Sequence, residues 1–435
     1  MSCKYNEVKL GDVCIFGDGA HTKVNRVENG IPYLTSKNIK NGYIDLQNVD
    51  YITNEDYIKL FGESQKSVRH LQEGDVLIGI IGTFGNCYLY KDNDKFGISS
   101  SIAIARPNKD LVNPKFLYYY LSSDRFKKYT DMYKGGSVQG YTNLPTLRKI
   151  PMYLPPLEKQ EKIADILSSL DDKIELNNEM NKTLEEMAQS IFKRWFVDFE
   201  FPNEDGLPYK SSGGEMVESE LGMIPKGWEV KTIEEISTTV SKGTTPTKKD
   251  MDSAEDENNI NFIKVKDIDD YGEICLDNLE KIPESVHNGK LKRSILYEKD
   301  ILFSIAGTIG RVTAIDKTLN NSNMNQAIAF IRLKDCRNMF NFIFYLLKSE
   351  KTQNDIKSNI VQAVQANVSL GVLKAIKFVQ PSKEILDKYN NIAMNIYDKQ
   401  QNIRYENNDL KIIRDNLLPK LMSGEIILDK KIIIY

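Results

Sequence analysis

The sequence predicts an α+β chain: two homologous mixed α/β domains separated by two long spacer helices, which pair as an antiparallel coiled coil with pseudo-twofold symmetry. Three observations predict it. One series of motifs occurs twice in the same order. Each copy ends in a long run of helix-forming residues. Each run carries apolar residues at alternating gaps of four and three, the seam of a coiled coil rather than the wider stripe of a surface helix.

Residues 1–155 read as the first domain. Short β-type runs at 13–16, 31–34, 76–81, 88–90 and 102–105 are separated by turn residues. Asn113-Pro114 starts a helix, with Pro at the first helical position and Phe116, Tyr119, Tyr120 and Phe126 near one face. The glycine-punctuated Lys134-Gly135-Gly136-Ser137 follows, and the prolines of Leu154-Pro155-Pro156-Leu157 bar helix until the residues after them. The first spacer helix occupies 156–200, with a seam of Ile163, Leu167, Leu170 and Ile174, then Leu184, Ala188, Ile191 and Trp195. Residues 201–227, rich in Gly, Pro, Ser and acidic groups, read as a linker.

The second domain, 228–381, repeats the first. Ile31-Pro32-Tyr33-Leu34 through Lys37-Asn38-Ile39 answers to Ile260 through Lys266-Asp267-Ile268. Glu73-Gly74-Asp75 through Gly82-Thr83-Phe84-Gly85 answers to Glu298-Lys299-Asp300 through Gly307-Thr308-Ile309-Gly310. Duplication of a whole domain-plus-helix unit predicts two related sites rather than a solenoid. The second spacer helix and tail take 382–435, with the helix free of Gly and Pro to 418 and a seam of Ile385, Tyr389, Ile392, Ile396, Ile403, Leu410, Ile413 and Leu417. Polar residues interrupt both seams: Asn177 and Asn181 in the first, Lys399 and Glu406 in the second. Such groups lower stability but fix register, and an antiparallel pair would set Asn181 against Lys399.

Hydrophobic residues make up 41% and charged residues 27%, the balance of a soluble globular chain. No apolar run approaches the roughly 18 residues of a membrane span, and the first residues lack a signal-peptide core. Five scattered cysteines and three histidines predict no metal site and a cytoplasmic setting. The formal charge of −3 argues against a free-standing DNA clamp, because phosphate contacts leave a basic footprint.

The two Gly-Thr-x-Gly turns fit either tight hairpins or loops that bring Thr83 and Thr308 near a phosphate or base edge. Beside them stand Asn86 and Arg311, the latter able to meet guanine with two hydrogen bonds. Gln139, Tyr141 and Asn143 in one copy, and Gln365 and Asn367 in the other, offer amides and a phenol that either read bases or satisfy loop backbone. Lys37-Asn38 and Lys266-Asp267 put polar pairs at one place in both copies. Catalysis leaves no motif: there is no nucleotide-binding glycine loop and no His- or Cys-rich cluster, and no cofactor is expected.

In this order the motifs resemble the specificity subunits of type I restriction-modification systems. The resemblance covers nearly the whole chain. It rests on Asp18-Gly19-Ala20-His21-Thr22 and Lys242-Gly243-Thr244-Thr245-Pro246, on Ile31-Pro32-Tyr33-Leu34, and on Leu154 through Gln160 to Ala164. Gly227-Trp228-Glu229-Val230 and the tail from Leu417 to Glu425 complete it. The family's usual Glu-Gln before the helix stands here as Lys159-Gln160. The resemblance implies a non-catalytic subunit whose two target-recognition domains each read half of a split site on double-stranded DNA. It implies partners too: two modification (adenine methyltransferase) subunits and, in the full complex, restriction subunits carrying motor and nuclease. Those partners would supply part of the phosphate grip. About 40 residues of helix span roughly 60 Å, enough to hold two readers about one or more DNA turns, roughly 34 Å each, apart.

Overall fold

The computed structural model describes residues 5–40, 42–46, 48–62, 67–82, 85–132, 142–269, 272–276, 279–363, 367–426 and 428. The chain forms two compact units, Met1–Asn177 with Tyr405–Tyr435, and Asn178–Arg404. Each contains one globular part and a share of both long helices.

Unit one is built on a four-stranded antiparallel sheet: β1 (Cys14–Asp18), β2 (Val76–Gly79), β3 (Cys87–Leu89) and β4 (Ile102–Pro107), in the order β1-β4-β2-β3. Its central strands are apolar without alternation because both faces are covered. Val76, Ile78, Ala103 and Ala105 pack into one core, while Leu77, Ile102 and Ile104 point into another. The first core is closed by α1 (Pro114–Ser122), whose N-terminus is capped by the Asn113 side chain accepting from the Phe116 N–H at 3.1 Å. The helix stops at Ser123, so Phe126 belongs to the next helix, Asp124–Met132. The second core lies under a smaller sheet of Arg26–Val27, Asp50–Ile52, Ile31–Leu34 and Gly97–Ile98, whose last pair is parallel. A ribbon of Asn6–Lys9 against Pro151–Leu154 leads into the first long helix, α2 (Leu157–Phe192). There Gln160 is fully buried. It donates to the Leu111 and Pro155 carbonyls and accepts from the Asn113 N–H, tying the helix start to α1.

Unit two repeats the plan. Strands β5 (Ser237–Lys242), β6 (Ile301–Ser304), β7 (Val312–Ala314) and β8 (Ile328–Leu333) run in the order β5-β8-β6-β7. Ile301, Phe303, Ala329 and Ile331 face one core, Leu302, Ile328 and Phe330 the other. Helix α3 (Cys336–Lys348) covers the first core, and the parallel pair recurs between Asn258–Ile263 and Asn323–Met324. The ribbon of Glu229–Thr232 with Lys377–Gln380 leads into α4 (Lys383–Ser423).

The two copies share one buried staple. Arg106 donates from Nε and Nη2 to Asp75 at 2.8 and 2.6 Å; Arg332 does the same to Asp300 at 2.8 and 2.6 Å. Each carboxylate also accepts a turn N–H, from Gln72 at 2.9 Å or Tyr297 at 2.8 Å. The turn residue between is left-handed in both: Gly74 at φ 93°, Lys299 at φ 68°. A side chain there is strained where glycine is not. Lys299→Gly is therefore expected to stabilise the chain by roughly 0.5–1 kcal/mol, read as a higher urea midpoint; an unchanged or lower midpoint would contradict the strain.

Three expectations change. The stretch 201–227 is not a bare linker but a folded part of unit two: Phe201 stacks on Tyr209 at 4.6 Å and on Trp228 at 4.8 Å, and Met216–Ser219 pairs with Gly222–Pro225. The end of the first long helix widens into a π-helical turn, Lys193–Val197, which buries the adjacent Trp195 and Phe196 against Tyr389 and Phe342. The second long helix runs through Pro419, whose missing N–H falls on an exposed face, because Leu421 and Met422 are buried in unit one's core.

Candidate nucleic-acid interface

In each unit the loops gather at one end of the four-stranded sheet. β1 ends at Asp18 opposite Ala103 and β2 at Gly79 opposite Ile102, so the segments after Asp18, after Gly79 and before Ile102 emerge together. Hydrogen bonds join them: Ile80 N–H to Ser101 O at 2.9 Å, Thr142 N–H to Ile80 O at 3.2 Å, and Ser36 N–H to Ser101 Oγ at 3.0 Å. Unit two has the same cluster, with Ile305 N–H to Ala327 O at 2.8 Å and Val368 N–H to Ile305 O at 2.9 Å. Every described candidate from the sequence falls in one of these two clusters or on its border.

Their roles divide. Asn38 is buried. Its Oδ1 accepts from the Thr35 N–H and hydroxyl at 2.9 Å each, and its Nδ2 donates to Asp45 O at 3.0 Å. Asp267, also buried, accepts from the Lys264 N–H at 2.8 Å. Asn86 donates to Ile39 O at 3.0 Å. Arg311, a candidate for guanine, donates from Nη1 to the carbonyls of Val265 and Ile268, tying the Gly-Thr-Ile-Gly turn to the neighbouring loop. Asn143 caps the helix Leu144–Lys149 by accepting from Thr146 N–H at 2.9 Å. These five side chains shape the loops. Lys37, Lys266, Thr308 and Asn367 are exposed on them. Thr83, Gln139, Tyr141 and Gln365 lie outside the described residues.

Gly82, Gly85, Gly307 and Gly310 all have φ between 74° and 96°, so the turns themselves require glycine. Gly19 and Gly243 are needed for a different reason. A Cβ at Gly243 would sit 2.1 Å from Met324 O, and one at Gly19 2.2 Å from Ile98 O. These glycines let the first strand's exit loop touch the loop after the parallel strand. Gln353 was invisible to sequence reasoning because no motif surrounds it; its Nε2 donates to Gly310 O at 3.0 Å and to Leu347 O at 2.7 Å, bracing the turn from below.

The helices pair antiparallel within each unit. In unit one Arg414 Nη1 meets Asp171 at 2.7 Å, and Asn177 Nδ2 meets Asn407 and Glu406 at 2.9 Å each. In unit two Gln400 Nε2 donates to Asn181 O at 3.3 Å, so Gln400, not Lys399, is the partner of Asn181. On the first helix Ile163, Leu167, Ile174, Asn177 and Asn181 are buried and Leu170 half-buried. On the second, Tyr389, Ala393, Ile396, Gln400, Ile403 and Asn407 are buried, while Ile392, Lys399, Glu406 and Ile413 are exposed. Alternate seam positions are therefore one residue later than the apolar pattern suggests.

Among the described residues no group of three or more His, Cys, Asp or Glu could hold a metal ion, and burial pushes the Cys14 and Cys87 thiols up to about 12, leaving them protonated. No described helix is long and apolar enough to cross a membrane.

The duplicated frame carries the same loop cluster once in each unit, the arrangement of a protein with two related recognition surfaces. The chain belongs to the family of the type I restriction modification DNA specificity domain, whose model matches twice, over residues 3–186 and 225–411. It is 28% identical over 424 residues to the type I restriction enzyme HindI specificity subunit of Haemophilus influenzae, covering 84% of this chain and 88% of that one. The MjaIX specificity subunit of Methanocaldococcus jannaschii is 27% identical over 423 residues, covering 94% and 90%. The type I restriction-modification S subunit from M. genitalium shares the fold, with a TM-score of 0.51 at 14% identity and 96% of both chains covered.

Proposed function

We propose that this chain is the DNA-reading, non-catalytic subunit of a type I restriction-modification complex. Each loop cluster reads one half of a bipartite site, the domains being those bounded at 155, 200, 227 and 381, and the helices set the unread gap and dock two adenine methyltransferase subunits. The observation that carries this reading is the duplication itself. One frame, with the same sheet order and the same Asp–Arg staple, carries loop tips whose side chains differ between copies. Exposed Lys37 and Lys266 suit phosphates, while the net charge of −3 leaves the rest of the backbone grip to partners. The test is to map adenine methylation in the source genome with and without this gene. Loss at one two-part motif supports the reading; an unchanged methylome overturns it.

The helices supply a docking edge. In each unit one edge of the pair meets the globular part, through Tyr119 with Asp171 at 2.6 Å or Lys348 with Glu185 at 2.9 Å. Other positions expose apolar side chains: Leu176 and Ile413 in unit one, Met180, Met187 and Ile392 in unit two. Exposed methionine and aliphatic side chains on a helix suit an amphipathic helix of a partner. Met187→Glu with Ile392→Glu is expected to abolish co-purification of the methyltransferase subunit. Folding should hold, as exposed substitutions usually stay within about 0.5 kcal/mol. Undiminished co-purification would exclude this edge.

A further inference from the structure

We propose that Gln326, pinned by Thr245, reads a base in the second loop cluster, and that the base is adenine. This inference rests on the proposed DNA-reading function and names a residue of that site.

The loop that precedes β8 leaves the same sheet end as the Gly-Thr-Ile-Gly turn, because Ile328 pairs with Ser304 at the end of β6. β5 ends there too, with Lys242 opposite Ala329. Gln326 and Thr245 sit on these two loops, both exposed, and the Thr245 hydroxyl donates to Gln326 Oε1. The contact is possible because Gly243 brings the loop backbones together. Around it, Asp267 and Arg311 have spent polar atoms on loop backbone. Gln326 keeps its two Nε2 protons and the second lone pair of Oε1. No described residue takes that amide nitrogen.

An amide that presents N–H beside C=O matches the N7 acceptor and N6 donor of adenine in the major groove. The pin matters as much as the chemistry. A free glutamine must lose rotamer freedom to make two bonds at once, and a side chain already held loses less.

Comparison of the two copies strengthens the assignment. Gly19 answers to Gly243, so His21 answers to Thr245; Ile102-Ala103 answers to Ile328-Ala329, so Ser100 answers to Gln326. In unit one His21 pairs instead with Asp18, at 2.7 Å. The buried staples have the same 2.8 and 2.6 Å distances in both copies, yet the exposed pair at this tip has changed partner and chemistry. A frame kept and a tip altered is what two readers of different half-sites require.

The test uses this chain with its methyltransferase subunit, acting on a random-sequence DNA library whose methylated motif is read by sequencing. Gln326→Ala is expected to make one adenine position degenerate in one half-site, cutting discrimination there on the order of tenfold or more, with the other half intact. Thr245→Val should give a smaller loss at the same position, with unchanged melting. Gln326→Glu should favour cytosine there, whose N4 amine suits a carboxylate acceptor. An intact motif in all three variants, or degeneracy in both halves, overturns the inference, and a degenerate position other than adenine overturns the base assignment. A wild-type complex that methylates no two-part motif would instead sink the DNA-reading function on which this rests.

Discussion

Asp300→Ala is expected to destabilise the chain by about 3–5 kcal/mol, the usual result of stripping one member from a buried, hydrogen-bonded ion pair. Asp300 is nearly inaccessible, and it serves three donors: Arg332 Nε and Nη2 and the Tyr297 N–H. Its loss leaves the guanidinium over the Tyr297 ring, 4.4 Å from its centre, with the Ile295 carbonyl at 2.9 Å as its remaining acceptor among the described residues. The turn at Lys299 loses its clamp at the same time. Because Arg332 keeps some exposure, the lower half of that range is the better expectation. For a unit of this size the change amounts to roughly 10 °C in melting temperature. Asp75→Ala should match it in unit one, where the geometry is the same. Asp300→Asn should lose about half as much, since the amide oxygen still accepts from the turn. A loss below about 1 kcal/mol in either unit, measured by urea unfolding, would mean that the staple is decoration.

Much of this frame was legible in the sequence because apolar continuity and turn chemistry are local signals. The β-type runs at 31–34, 76–81 and 102–105 correspond to strands Ile31–Leu34, Val76–Gly79 and Ile102–Pro107, and Asn113-Pro114 does start a helix. The long helices were equally visible. Their seam was only half visible, for a physical reason. Ile392 and Ile413 are apolar and one position before Ala393 and Arg414, so a reading by hydrophobicity takes the exposed isoleucines. The chain buries Gln400 and Asn407, and half-buries Arg414, because partners wait across the interface at Asn181, Asn177 and Asp171. Polar satisfaction across helices is a long-range fact that no window of sequence contains. The surroundings of the loop candidates were hidden for the same reason. Asn38, Asn86 and Arg311 each give an N–H to a backbone carbonyl of another turn, which no motif announces, and Gln326 sits in no motif at all.

Lys348→Met carries the other large expected effect, and its signature is a pH dependence. Lys348 and Glu185 form a largely buried ion pair at 2.9 Å between α3 and the first long helix, with Lys348 over the Phe344 ring. Burial pushes the Glu185 carboxyl up, but the Lys348 charge and hydrogen bonds from Lys348, Gln189 and Gln400 outweigh it and hold the group below its ordinary value of 4.5. Burial pulls the Lys348 ammonium down, against the lift from Glu185. A carboxyl with a lowered folded value stabilises the fold above its unfolded value, and that contribution fades as pH falls through the folded one. In Lys348→Met the balance reverses. The cation is gone, burial wins, and Glu185 rises above its ordinary range. A raised carboxyl destabilises the fold above its unfolded value and costs nothing once both states are protonated. The variant should therefore lose about 3–5 kcal/mol near neutrality, and the gap to the wild type should close as pH falls below 4.5. Adding Glu185→Leu should restore neutral-pH stability to within about 1 kcal/mol, since a well-packed apolar pair often replaces a buried ion pair without loss. Urea midpoints at neutral and acidic pH decide it. A deficit that stays constant with pH would assign the loss to packing of the lysine stem and remove the carboxylate from the account.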